Sequence, residues 1–132
     1  MQLVRFRVDL APRCSLGPGK IALLEAIAVE GSLTKAAAQL GMSYRYGWLL
    51  LEDMKSAFSE PVTRATVGGR RGGGVELTAF GAEVVKRYNQ AYKRINAVAQ
   101  SAFAPLLKKI IVRAPRNARP KGSRARSIKR AA

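Results

Sequence analysis

A helix that opens on a serine and closes on a glycine, followed two residues later by a second serine, leaves little freedom to residues 31–58. In GSLTKAAAQLGMSYRYGW, Ser32 stands just before a run of helical spacing, where its hydroxyl can accept a backbone N–H of the first turn. Three consecutive alanines, Ala36 to Ala38, permit close approach by a neighbouring helix. Gly41 falls where the chain must turn left-handed to leave that helix. Ser43 then caps a third helix, expected over about residues 44–58. A short helix of small residues, a glycine turn and a longer capped helix form the pattern of a helix-turn-helix.

The flanks extend the pattern. KIALLEAIAVEG (20–31) carries Ile21, Leu24, Ile27 and Ala28 at helical spacing and stops at Gly31, which predicts the first helix. Residues 3–10, LVRFRVDL, alternate polar and apolar, which predicts a half-buried strand with its apolar face on Val4, Phe6, Val8 and Leu10. In the third helix, Gly47, Leu51, Met54 and Phe58 should face the core. Trp48, Leu49 and Leu50 exceed what one buried face requires. They are expected to pack on the N-terminal strand, with a second protein as the alternative cover.

Downstream, PVTRATV and VELT favour strands and enclose GGRRGGG, residues 68–74. Two short strands around a glycine-rich tip predict a hairpin over residues 62–78. Glycines let such a tip approach a phosphate backbone closely, and Arg70 and Arg71 bring the cations. Directly after a helix-turn-helix, this hairpin reads as a wing. A new helix opens at Ala79, with apolar residues recurring through Phe103. Val84, Val85, Tyr88, Tyr92, Ile95, Val98 and Phe103 make a stripe longer than a small domain can cover, which predicts a homodimer. Pro105 is expected to end or kink the helix near Ala104. LLKKIIV (106–112) reads equally as a short helix or a strand.

Charge selects the partner. Across 132 residues, 24 Lys and Arg face 8 Asp and Glu, a net +16. That surplus points to a polyanion, nucleic acid (double-stranded DNA) first and an anionic membrane surface second. Ten of the bases and none of the acids lie between Lys108 and Ala132, and residues 113–132 read as a basic, disordered tail. One cysteine and no histidine exclude an internal disulfide, the common zinc constellations and His-dependent catalysis, so neither enzyme activity, metal nor cofactor is expected. No run of about 18 uncharged apolar residues suggests a membrane span. No export signal is visible, and a cytoplasmic protein is expected.

The combination of GSLTKAAAQLGMSYRYGW…LEDM (31–54) with GGRRGGGVELTAFG (68–81) resembles the N-terminal domain of molybdate-responsive ModE-type transcriptional regulators, itself related to LysR-type DNA-binding domains. The resemblance covers about residues 1–105. It implies a mainly α fold with a small β wing: a winged helix-turn-helix over residues 1–78, then a long dimerisation helix and short extension over 79–112. It also implies binding to a palindromic operator. Full-length members carry C-terminal molybdate-binding domains, for which this chain leaves no room, so a separate effector-binding partner is a possibility to hold open.

The expected DNA contacts are Ser32, Thr34 and Lys35 on the second helix, Ser43, Tyr44, Arg45 and Tyr46 on the third, and Arg64, Gly69, Arg70, Arg71 and Gly72 on the wing. Arg45 suits a bidentate contact to guanine or a phosphate. Tyr44 and Tyr46 suit phosphates or thymine methyl groups. The function expected is a sequence-specific, homodimeric transcriptional regulator. The alternative is an architectural, nucleoid-type protein with little sequence preference, favoured by the tail, and a third reading docks an effector subunit on Trp48, Leu49 and Leu50. Replacing Arg70 and Arg71 together by Ala should weaken binding to every duplex and flatten its salt dependence by about 1 to 2 units of log–log slope. A titration of affinity against salt reads this, and an unchanged slope removes the wing tip from the contact.

Overall fold

The computed structural model describes residues 1–67 and 74–112. In chain order it contains β1 (Val8–Ala11), β2 (Cys14–Leu16), α1 (Pro18–Glu30), α2 (Leu33–Gln39), α3 (Tyr44–Ala57), β3 (Thr63–Thr66), β4 (Gly74–Leu77) and α4 (Ala79–Leu107). The protein is mainly helical, with two small antiparallel sheets, β1–β2 and β3–β4. It divides into two compact units, Met1–Ser101 and Ala102–Ala132.

In the first unit, α1 is the centre. Leu23, Leu24 and Ile27 are wholly buried, and Met54 of α3, Val62 and Ala36 of α2 close over the same core. Ala28, expected on the buried face, is exposed, because Leu23 and Ala26 complete that face instead. Gly31 ends α1 in the left-handed conformation, and Gly41 does the same after α2, with φ of 69° and 70°. The small residues act as expected. A Cβ at Gly47 would lie 3.3 Å from that of Ala37, so α2 and α3 meet almost backbone to backbone.

The first turn of α1 holds a buried cation. Lys20 Nζ donates to the Ser15 carbonyl at 2.9 Å and to the Asp53 carboxylate, tying β2, α1 and α3 together. A lysine at a helix N-terminus opposes the helix dipole, and Asp53 answers that charge.

The N-terminal strand is shorter than expected. Only Val8–Ala11 is strand, paired with Cys14–Leu16 across Pro12 and Arg13. Val4, Phe6 and Val8 are half-buried, but Leu10 is exposed. Residues 1–7 run along α4, whose side chains satisfy their backbone in place of a second strand. Leu3 N–H donates to Asn96 Oδ1 at 2.7 Å, and Asn96 and Gln100 both donate to the Met1 carbonyl. Tyr88 Oη donates to the Phe6 carbonyl at 2.5 Å, while the two rings stack at 4.4 Å.

The hairpin is in register Thr63↔Leu77 to Thr66↔Gly74, and it is fastened to its surroundings by backbone. Val75 N–H donates to the Gly31 carbonyl, and Thr78 N–H to the Val62 carbonyl, each at 3.0 Å. These approaches leave no room for side chains. A Cβ at Gly74 would fall 2.3 Å from the Gly31 oxygen, and one at Gly81 2.0 Å from the Val62 oxygen.

Helix α4 does not stop at Ala104 but runs two residues beyond Pro105. Proline removes one intrahelical donor, and so near the end there is no further turn to lose. Leu106 and Leu107 finish the helix, Lys108 and Lys109 form a turn, and residues 110–112 are irregular, so LLKKIIV makes no element of its own. In the second unit, Phe103, Leu106, Ile110, Ile111 and Val112 are exposed.

Burial pushes the Tyr88 phenol above its ordinary value, partly opposed by the charge of Arg5. The unfolded chain therefore releases this proton first, and the contribution to stability is complete below pH about 10 and declines above it. Tyr88→Phe should cost about 1 kcal/mol at neutral pH through the lost hydrogen bond. In urea unfolding, the gap between wild type and variant should narrow as pH passes about 10.

Candidate nucleic-acid interface

Two serine caps set the ends of α2 and α3. Ser32 Oγ accepts the Lys35 N–H, and Ser43 Oγ accepts the Tyr46 N–H, both at 3.1 Å. Each hydroxyl oxygen is thus engaged by its own helix, and its O–H remains a donor for an outside acceptor. Thr34 and Lys35 are exposed on α2.

Burial of Gly47, Leu51 and Met54 turns the opposite face of α3 outward. That face carries Arg45, Leu49 and Glu52, with Tyr44 and Trp48 on one flank and Tyr46 on the other. Tyr44 and Tyr46 are just over half exposed, and Trp48 and Leu49 just over two-fifths. Tyr44, Arg45 and Trp48 line a shallow hollow of about 230 Å³. Leu50, expected against the N-terminal strand, packs on the core instead, and Trp48 and Leu49 remain exposed on the flank and outer face of the helix.

Ion pairing sorts the cations. Arg64 donates from Nε to Glu76 at 2.7 Å across the hairpin, so its charge is answered locally. Lys55 pairs with Glu52 at 3.2 Å, and Arg87 with Glu83 at 2.8 Å. Among the described residues, Lys35 and Arg45 have no acidic partner. Gly69, Arg70, Arg71, Gly72 and the tail 113–132 lie outside the described residues.

The apolar stripe of α4 divides. Val84 and Tyr88 are buried in the core of their own chain, and Val85 packs against that core. Tyr92 is half-buried, whereas Ile95, Val98 and Phe103 are exposed. The α-helical period alone could not separate these, since the segment that covers Val84 and Tyr88 comes from residues 6–16. Beside that segment an apolar cleft of about 530 Å³ opens, bounded by Phe6, Leu10, Phe58, Phe80, Ala91 and Ile95. Sequence reading also missed Glu76 as the partner of Arg64, although strand register placed them opposite, and it treated Trp48 as surplus core rather than as part of an outward face.

No helix among the described residues is long and apolar enough to cross a membrane. Ser43→Ala should cost about 1 kcal/mol of stability through loss of the α3 cap, read as a lower midpoint in chemical denaturation with an unchanged slope.

No family model matches the chain. Curated proteins do. It is 37% identical over 86 residues to the molybdenum transport protein ModE of Azotobacter vinelandii, covering 65% of this chain and 32% of that protein. It is 33% identical over 99 residues to the transcriptional regulator ModE of Yersinia pestis, covering 75% and 36%. It is 31% identical over 86 residues to the DNA-binding transcriptional dual regulator ModE of Escherichia coli strain K12, covering 65% and 31%. The chain spans about a third of the length of these relatives.

Proposed function

We propose that this chain, homologous over up to three-quarters of its length to ModE-type transcriptional regulators, is a winged helix-turn-helix regulator that binds a palindromic DNA operator as a homodimer. The observation that carries the reading is α3 itself. It follows a close-packed α2 across a glycine turn and presents Arg45, without an acidic partner among the described residues, at its outward N-terminal end. Such a helix enters the major groove and reads base edges with its first residues.

In this reading the roles follow from exposure and charge. Arg45 takes guanine, and Lys35, Thr34 and the serine hydroxyls take phosphates that set orientation. Tyr44 and Tyr46 bracket Arg45. Arg64 serves the hairpin through Glu76, leaving phosphate contact at the wing to Arg70 and Arg71, with Gly69 and Gly72 allowing close approach. The dimer surface is the exposed remainder of the α4 stripe, Ile95, Val98 and Phe103 with Tyr92, while Val84, Val85 and Tyr88 hold the helix to its own domain. These relatives are named for transcriptional regulation and molybdenum transport, which supports a regulator rather than an enzyme.

Selection of binding sites from random duplex DNA, at near-physiological salt, tests the proposal. The expected product is an inverted repeat with half-sites about one helical turn apart. Arg45→Ala should then relax preference at one position per half-site, losing about 1–3 kcal/mol of discrimination there. A pool without enrichment, from protein that still retains all DNA, would move the assignment to an architectural protein, the reading that the net charge of +16 favours.

A further inference from the structure

Single exposed apolar residues on a helix need no explanation. On α3, however, Tyr44, Trp48 and Leu49 are 54%, 42% and 44% exposed within two turns, and all surround one cation, Arg45. Residues four apart are neighbours on a helix surface, so Tyr44 meets Trp48 and Arg45 meets Leu49. The result is a guanidinium set in an apolar frame, with the hollow of about 230 Å³ lined by Tyr44, Arg45 and Trp48 at its edge. Glu52, one turn on, has its charge answered by Lys55. Contacts to phosphate would use the Tyr44 hydroxyl and the Trp48 indole N–H but not the apolar faces of the two rings.

In the major groove one base carries an apolar group at its exposed edge. Thymine presents its C5 methyl, while guanine presents the O6 and N7 acceptors that suit arginine. We propose that the Tyr44–Arg45–Trp48 hollow is a 5-methylpyrimidine site: Arg45 takes guanine, and the flanking rings of Tyr44 and Trp48 enclose the methyl of the thymine beside it. Trp48 is then a specificity-determining residue, and 5-methylcytosine is accepted where thymine stands. The inference rests on α3 entering the major groove, as proposed above. Duplex DNA rather than a protein is the occupant because the frame encloses an exposed cation with no acidic partner among the described residues, in a chain of net charge +16.

The test changes the DNA before it changes the protein. Each thymine of the selected site is replaced singly by deoxyuridine, which removes only the methyl group, and affinity is measured for wild type and for Trp48→Ala. One position per half-site, next to the guanine lost to Arg45→Ala, should weaken wild-type binding about 4-fold, the transfer value of one methyl group. 5-Methylcytosine there should bind more tightly than cytosine, and Trp48→Ala should be indifferent to the methyl. A selected site at which no thymine methyl matters overturns this inference and leaves the regulator reading intact. So does equal methyl sensitivity in Trp48→Ala, or that variant binding the unmodified site as tightly as wild type, which would give the exposed face to a protein. A pool without any enriched sequence overturns both.

Discussion

Everything in the first unit is placed by the need to cover one face of α1. Leu23, Leu24 and Ile27 have no contact with solvent, and each such side chain contributes about 1.5–3 kcal/mol when fully buried. Three aliphatic side chains on one helix cannot be covered by a single small neighbour. The cover comes from α2, from Leu51 and Met54 of α3, from Val62 before the hairpin, and from Val84 and Tyr88 of α4. The outward direction of α3, and with it the candidate interface, follows from which of its faces is spent on α1.

The second constraint is steric and lies in the backbone. The hairpin is held by N–H groups donated to the Gly31 and Val62 carbonyls, and Gly74 and Gly81 exist at those contacts because a Cβ has nowhere to go. The hairpin is thereby tied to the α1–α2 turn near its loop end and to the segment leading from α3 at its base.

Electrostatics then decides which cations remain for a polyanion. Acidic residues are few, and the described ones are largely engaged: Asp53 with buried Lys20, Glu76 with Arg64, Glu52 with Lys55, Glu83 with Arg87. Exposed pairs of this kind contribute little to stability. They do neutralise charge locally, and among the described residues Arg45 is, like Lys35, Lys86, Lys93 and Arg94, left without an acidic partner. Its apolar frame of Tyr44, Trp48 and Leu49 is the feature that a generic phosphate-binding helix lacks.

By itself, the sequence determined the elements whose signals are local. Serine caps, glycine stops and the period of apolar residues placed α1, α2, α3 and the two strands of the hairpin close to where they stand, and the relationship to ModE-type regulators was readable in residues 31–54 and 68–81. Tertiary structure alone decided what depends on contact between distant segments. Residues 3–7 alternate like a strand yet give their backbone to Asn96 and Tyr88, because a helix some 90 residues later offers side-chain partners. The same contact helps bury Tyr88, which one-dimensional periodicity cannot tell from Ile95 and Val98. Trp48 and Leu49 face outward for the converse reason: among the described residues no later segment comes back to cover them. Local pattern fixes what a residue can do in its own helix, whereas its exposure, pairing and use depend on what else the chain brings beside it.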